Sequence, residues 1–92
     1  MDRELIELLP INVGHGNQIV PYHVISILNA RSMPVRRLRE DAKTSGKLID
    51  ATEGRKTRAL VVFSSGHVLL SSNSVETLTE RWTQAFTQKP LL

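Results

Sequence analysis

Two uninterrupted apolar runs, Ala59-Leu60-Val61-Val62-Phe63 and His67-Val68-Leu69-Leu70, are separated only by Ser64-Ser65-Gly66. No other feature limits the fold of this chain as much. β-Branched and aromatic residues favour extended backbone, and a short Ser/Gly link predicts an antiparallel hairpin. Neither run alternates polar with apolar residues, so both strands are expected at the centre of a sheet covered on both faces. The chain of 92 residues is long enough for one domain, residues 1–92, with one small core. Apolar residues are 40% and charged residues 23% of the chain, a normal balance for a folded domain. Cysteine is absent, which excludes disulfides and thiolate metal sites and fits a reducing compartment. No apolar run reaches the roughly 18 residues of a membrane span. Met1-Asp2-Arg3-Glu4 lacks the basic lead of a secretory signal. A cytoplasmic protein without membrane contact is expected.

Taken in order, residues 1–7 are expected to be a loose or helical lead-in. Leu8, Leu9, Ile11 and Val13 predict a first strand, which Pro10 confines to an edge or irregular position. Gly14-His15-Gly16-Asn17 is a turn, because these residues tolerate positive φ. It lacks the third glycine and the following helix of a dinucleotide fingerprint. Residues 18–28 predict a second strand, bent or broken at Pro21 and apolar on both faces near its end. Its second cover comes either from a neighbouring subunit or from an ordinary layer of the same chain. After a loop, Pro34 opens a helix, Val35, Leu38 and Ala42 give it an apolar stripe, and Gly46 stops it. A strand over 48–51, a polar turn around Gly54 and a new strand from near Arg58 lead into the apolar hairpin. A second helix starts at Asn73 or Ser74 and turns Val75, Leu78, Trp82, Ala85 and Phe86 to one side. Residues 88–92 are expected to be a loose tail. The fold class is α+β: a small single domain with a mostly antiparallel sheet of about five strands and two helices.

Charge is concentrated in the middle of the chain. Residues 31–58 hold nine cations and four acids, net +5, while the remainder is net −2. The turn Gly54-Arg55-Lys56-Thr57-Arg58 places three cations in four positions, with the Thr57 hydroxyl as a further donor. A glycine before a cationic pair lets backbone and side chains approach a phosphate closely. Arg36 and Arg37 fall in the first turn of the predicted helix, where each exposed cation costs roughly 0.3–1 kcal/mol against the helix dipole. That placement makes sense if an anion occupies the site; the alternative is that carboxylates elsewhere pair with them. His15, His23 and His67 show no metal-ligand spacing, and the many serines lack a nucleophile elbow. Asp50 and Glu53 are expected to orient Arg55 or Arg58 rather than to work as acid and base. These readings give no enzyme, no catalytic residues, no metal, no cofactor and no small-molecule substrate. The aromatics are Tyr22, Phe63, Trp82 and Phe86. Three of them sit where core is expected, leaving little to stack on a single strand. Duplex DNA gripped through its phosphates suits the inventory better.

Several strings together resemble the RemA family, small bacterial DNA-binding regulators of extracellular-matrix (biofilm) genes. They are Asn12-Val13-Gly14-His15-Gly16-Asn17, Val24-Ile25-Ser26-Ile27, Pro34-Val35-Arg36-Arg37, the long string from Gly46 through Leu48-Ile49-Asp50-Ala51-Thr52 and Gly54-Arg55-Lys56-Thr57-Arg58 to Ala59, and His67-Val68-Leu69-Leu70-Ser71. The likeness runs from about Ile11 to Leu78. It implies a small domain that assembles into a closed, octameric ring with DNA lying against the basic turns. The family's two adjacent DNA-contacting arginines fall on Arg55 and Lys56; the lysine keeps the charge and loses the bidentate geometry. A family arginine that holds subunits together falls on His23, which marks an oligomer-interface position and departs from the pattern. Glu53 stands where the family often has a tyrosine.

The expected protein is a cytoplasmic, nucleoid-associated transcriptional regulator. It is a homo-oligomer that contacts double-stranded DNA through Arg55, Lys56 and Arg58, with Arg36 and Arg37 as secondary contacts, and that bends or wraps the duplex. Two alternatives stand beside it: an oligomeric scaffold for protein partners, and a nucleoid-compacting protein without site preference.

Overall fold

Ala59–Phe63 and Val68–Ser71 form the expected antiparallel hairpin, with Leu60 opposite Leu70 and Val61 opposite Leu69. The computed structural model describes residues 4–90. Within them the order is β1 Glu4–Leu8, β2 Ile11–Gly14, β3 Asn17–Ile19, a 3-10 turn Pro21–His23, β4 Val24–Asn29, α1 Met33–Thr44, β5 Leu48–Asp50, β6 Ala59–Phe63, β7 Val68–Ser71, α2 Val75–Ala85 and β8 Phe86–Pro90.

The main sheet has four strands in the order β4-β6-β7-β5, so the apolar hairpin β6–β7 is central, as its composition requires. β4 is antiparallel to β6, and β5 is parallel to β7. β4 and β5 are thus parallel edges joined by α1, a crossover that covers one face. Alternate side chains of the central strands fill two cores. Leu60, Val68 and Leu70 pack with Ala42 of α1, flanked by Val35, Leu38 and Leu48. Ala59, Val61 and Leu69 pack on the other face with Ile11, Val13, Leu78 and Ala85, from β2 and α2. Within β4, Ile27 is covered by the α2 side and Leu28 by the α1 side, whereas Ile25 stays 64% exposed.

The helix signals hold except at the end of α2, where Phe86, expected on the helical face, instead starts β8 and is 39% exposed. Ser32 caps α1 by accepting from the Val35 amide, and Ser74 caps α2 by accepting from the Thr77 amide. Gly46, at φ 75, closes α1: its amide donates to the Lys43 carbonyl while Lys47 N donates to the Ala42 carbonyl. That pair of bonds is a Schellman closure.

Three expectations are corrected. The sheet of about five strands is a four-stranded sheet with two separate pairs, β2–β3 and β1–β8. Residues 18–28 are not one bent strand. Pro21 starts a 3-10 turn that divides β3 from β4, and the two lie in different sheets. Residues 4–7, expected loose or helical, form β1 with Leu8, which is thereby separated from the strand of Ile11 and Val13; β1 pairs antiparallel with residues 86–90, so the described part of the expected tail is also extended. Residues 1–3 and 91–92 lie outside the described residues.

Leu78 is 1% exposed at the centre of the α2 core. Leu78→Ala is expected to cost about 2–5 kcal/mol, a large share of the stability of a domain this size. Met33→Ala, at a position 69% exposed, is expected to stay within about 0.5 kcal/mol. Denaturant midpoints at one protein concentration compare the two.

Candidate nucleic-acid interface

The topology dictates where the basic turn goes. β5 and β6 lie on opposite sides of β7, so the link between them must cross the end of β7. That end is where β7 runs into α2. The carboxyl ends of the parallel strands β4, β5 and β7 and the amino ends of both helices converge there. Helix amino ends carry partial positive charge, and the link adds three full cations.

The link is pinned at both ends. Ala51 N donates to the Leu70 carbonyl at 3.0 Å. Arg58 N donates to the Ser71 carbonyl at 2.8 Å, and the Arg58 carbonyl accepts from Ala30 N at 3.2 Å. Asp50 fixes the entry: one carboxylate oxygen accepts from the Thr52 hydroxyl at 2.6 Å and the Thr52 amide at 2.9 Å. The Thr52 hydroxyl, then its amide, and more weakly the charge of Arg39 hold the Asp50 carboxyl below its usual value, against a small opposing effect of burial. The carboxylate is the form that makes these bonds, so its contribution is present above the ordinary aspartate range and is lost as pH falls through the lowered value. The expected role of Asp50 in orienting Arg55 or Arg58 is thus corrected. Its bonds go to Thr52, and they set the turn rather than the cations.

Arg55 N donates to the Thr52 carbonyl at 3.0 Å, closing a tight turn whose central residues, Glu53 and Gly54, have φ 53 and 79. Positive φ at both central positions is the type I′ signature, which favours Asn-Gly over Glu-Gly. Glu53→Asn is expected to stabilise the chain by about 0.5–1 kcal/mol. Removing the acid beside three cations is also expected to strengthen duplex binding a few-fold. Denaturation and DNA titration measure the two effects separately, and unchanged stability would mean that Glu53 is not strained.

Arg55, Lys56 and Arg58 are all exposed on this frame, with Thr57 half-buried between them. They wall a cleft of about 880 Å³ together with Arg31, Arg36 and Arg39. Glu40 and Glu76 also reach the cleft, so six cations face two carboxylates. Arg36 therefore joins the turn. Arg37 does not: it lines a separate small cleft with Met33, Pro34, Leu38 and Asp41. Adjacent helical residues point about 100° apart, whereas Arg36 and Arg39 at i, i+3 share a face. That spacing was a readable signal for Arg39 as a third helix cation. Arg31, in the link before α1, carries no such signal.

His23 lies elsewhere. Its Nδ1 is 3.3 Å from the Ser64 hydroxyl. It borders an apolar cleft of about 610 Å³ with Ile19, Val20, Ile49 and Phe63. Nearby in sequence, Tyr22 and Ile25 are 73% and 64% exposed. Ile25 owes its exposure to a register break in β4 between Val24 and Ser26. Among the described residues, no group of three or more His, Asp or Glu is placed to hold a metal ion. No helix among them is long and apolar enough to cross a membrane.

The family model described as RemA-like, extracellular matrix regulatory protein A-like, matches residues 10–82. A Kosmotoga olearia protein named "Putative regulatory protein" is 56% identical over 77 residues, which cover 84% of this chain and 78% of that protein. A protein of the same name from Nitratidesulfovibrio vulgaris strain Miyazaki F is 53% identical over 74 residues, covering 80% of this chain and 84% of its own length. Another from Thermosipho melanesiensis is 50% identical over 76 residues, covering 83% and 81%.

Proposed function

The chain belongs to the RemA-like family of regulatory proteins, and from that premise we propose that it is a DNA-binding transcriptional regulator acting as a ring-shaped homo-oligomer. The observation that carries this reading is the cleft in which Arg55, Lys56 and Arg58 meet Arg31, Arg36 and Arg39 against only two carboxylates. Such a surface suits a phosphate backbone. It is polar and open, with arginine forks that match phosphate geometry. None of its lining residues is aromatic, which favours a duplex over stacked single strands.

Each turn alone binds weakly. A ring repeats the turn at fixed spacing, and linked contacts gain on the order of 10²–10⁴-fold in avidity. Repeated phosphate contacts on a curved surface favour DNA that bends easily, so sequence preference arises from shape rather than from a base code. Within the family's role the targets are extracellular-matrix genes, and a nucleoid-associated location follows. Arg55, Lys56 and Arg58 are the principal contacts, Arg36, Arg31 and Arg39 extend them, and Arg37 is outside the interface. His23 and the apolar cleft beside it belong to the subunit contact.

The test is duplex DNA binding at two salt concentrations alongside solution mass. A large oligomer whose affinity falls steeply with salt is the expected result. A large oligomer that ignores DNA at low salt would overturn the reading and favour a protein scaffold.

A further inference from the structure

The basic turn has a second side. Across from the α1 cleft it faces the β2–β3 hairpin, over a cleft of about 530 Å³. Gly14 and His15 of the hairpin, Ser72 and Asn73 of the β7–α2 link, and the three cations of the turn line it; no carboxylate does.

The hairpin is built onto this position. The Ser71 hydroxyl, fully buried, donates to the Val13 carbonyl at 2.7 Å and ties β2 to the end of β7. Arg81 of α2 donates to the Asn12 carbonyl at 2.9 Å. Gly14 lets the hairpin close down, since a Cβ there would come within 3.3 Å of Asn73 Nδ2 and 3.5 Å of Ser72 Oγ. His15 is exposed at φ 54, with its Nε2 3.2 Å from the Ser72 hydroxyl. Asn73 Nδ2 is buried and has no acceptor, although buried donors are nearly always bonded. The cleft thus combines three cations, an imidazole, a hydroxyl and an amide short of one acceptor.

We propose that the β2–β3 hairpin is the second wall of the DNA interface, seating a backbone phosphate of the duplex between His15 and the basic turn, and that His15 binds a proton as the DNA docks. This rests on the reading of the basic turn as the DNA contact. Imidazole changes charge near neutral pH, and a phosphate beside it favours the charged ring. The charged groups that line the cleft with the ring are Arg55, Lys56 and Arg58 from the turn, while Arg81 of α2 binds the Asn12 carbonyl of β2. The phosphate is then the only anion the ring meets in the cleft. The complex holds the proton to higher pH than the free chain does. The extra affinity is therefore complete at acid pH and is lost as pH rises through the titration of the ring in the complex.

Duplex affinity of the intact chain, measured from about pH 5.5 to 8 at fixed ionic strength, tests this. Wild type should bind about five- to tenfold more tightly at the acid end. His15→Asn, which tolerates the left-handed backbone without a charge, should lose that slope. Arg55→Ala should bind more weakly throughout and keep the slope. A wild-type profile in His15→Asn overturns the proposal. So does a slope that vanishes in His23→Gln or His67→Gln instead. Should His15→Asn fold poorly, the ring resonances of His15 in the wild-type chain decide: added duplex should move their titration to higher pH, and an unmoved titration overturns the proposal. If Arg55→Ala binds like wild type, the reading of the basic turn fails on that result, independently of the His15 profile.

Discussion

The double variant Arg55→Ala/Lys56→Ala is expected to lose duplex affinity by about 10³-fold when two subunits engage the DNA, and by more when further subunits do. Two subunits lose four phosphate contacts, each contributing about 1 kcal/mol net. The sum of about 4 kcal/mol is close to three decades. The salt dependence should flatten with it, the slope of log K against log salt falling by about 3.6 in magnitude. The fold should survive, because the turn is held by Asp50, Thr52 and the backbone of Arg58, not by the two removed side chains. Arg37→Ala serves as the internal control. It removes one cation from a separate cleft, against two from the turn, so it should change affinity little. Lys56→Arg should tighten binding, since a guanidinium grips a phosphate through two bonds where an ammonium acts as a point charge. A loss of affinity in Arg37→Ala of about half the double variant's on a logarithmic scale would mean that net charge, not the cleft, attracts DNA.

Elements fixed by local chemistry could be read from the sequence, and those fixed by distant partners could not. The β6–β7 hairpin was legible because two apolar runs flank a three-residue link. Both helices were legible at their starts, from Pro34 and from Ser74, and α1 also at its end, from Gly46. The placement of β5 was not, because its partner is β7, reached only after β6 has been inserted between them. The pairing of β1 with β8 joins the two ends of the chain, and Pro90 argued against a strand there. In the site, the basic turn was legible as a charge run after a glycine. What the turn faces was not. His15 meets Ser72 across 57 residues of sequence, and no local pattern announces such a contact. Asp50 was misassigned for the opposite reason: a carboxylate near arginines suggests an ion pair, yet a backbone amide and a hydroxyl two residues ahead are nearer and fixed.

Ile25→Glu is expected to dissolve the oligomer while leaving each subunit folded, and to take most of the DNA affinity with it. Ile25, Tyr22 and Val20 are 64%, 73% and 61% exposed, and Ile49 is 44% exposed across the apolar cleft that holds His23. Single exposed apolar residues are ordinary, but Val20 and Ile49 share the cleft that holds His23, with Tyr22 and Ile25 close to His23 in sequence, and such a group marks an interaction surface. A second copy of this chain is the occupant that fits, since a ring joins two different patches of each subunit and repeats the contact until it closes. Burying one such side chain contributes about 1.5–3 kcal/mol. A carboxylate in its place costs several kcal/mol once water is excluded. In the proposed ring the contact would recur at every subunit boundary, and the loss with it. Ile25 is turned outward by the register break in β4, away from both cores, so circular dichroism should stay close to wild type while light scattering reports a small species. DNA binding should then fall by the avidity factor of about 10²–10⁴, although every cation of the basic turn is still in place. Loss of mass together with loss of binding ties DNA affinity to assembly. Retained mass removes this face as the subunit contact, and loss of mass with undiminished affinity shows that a single turn suffices.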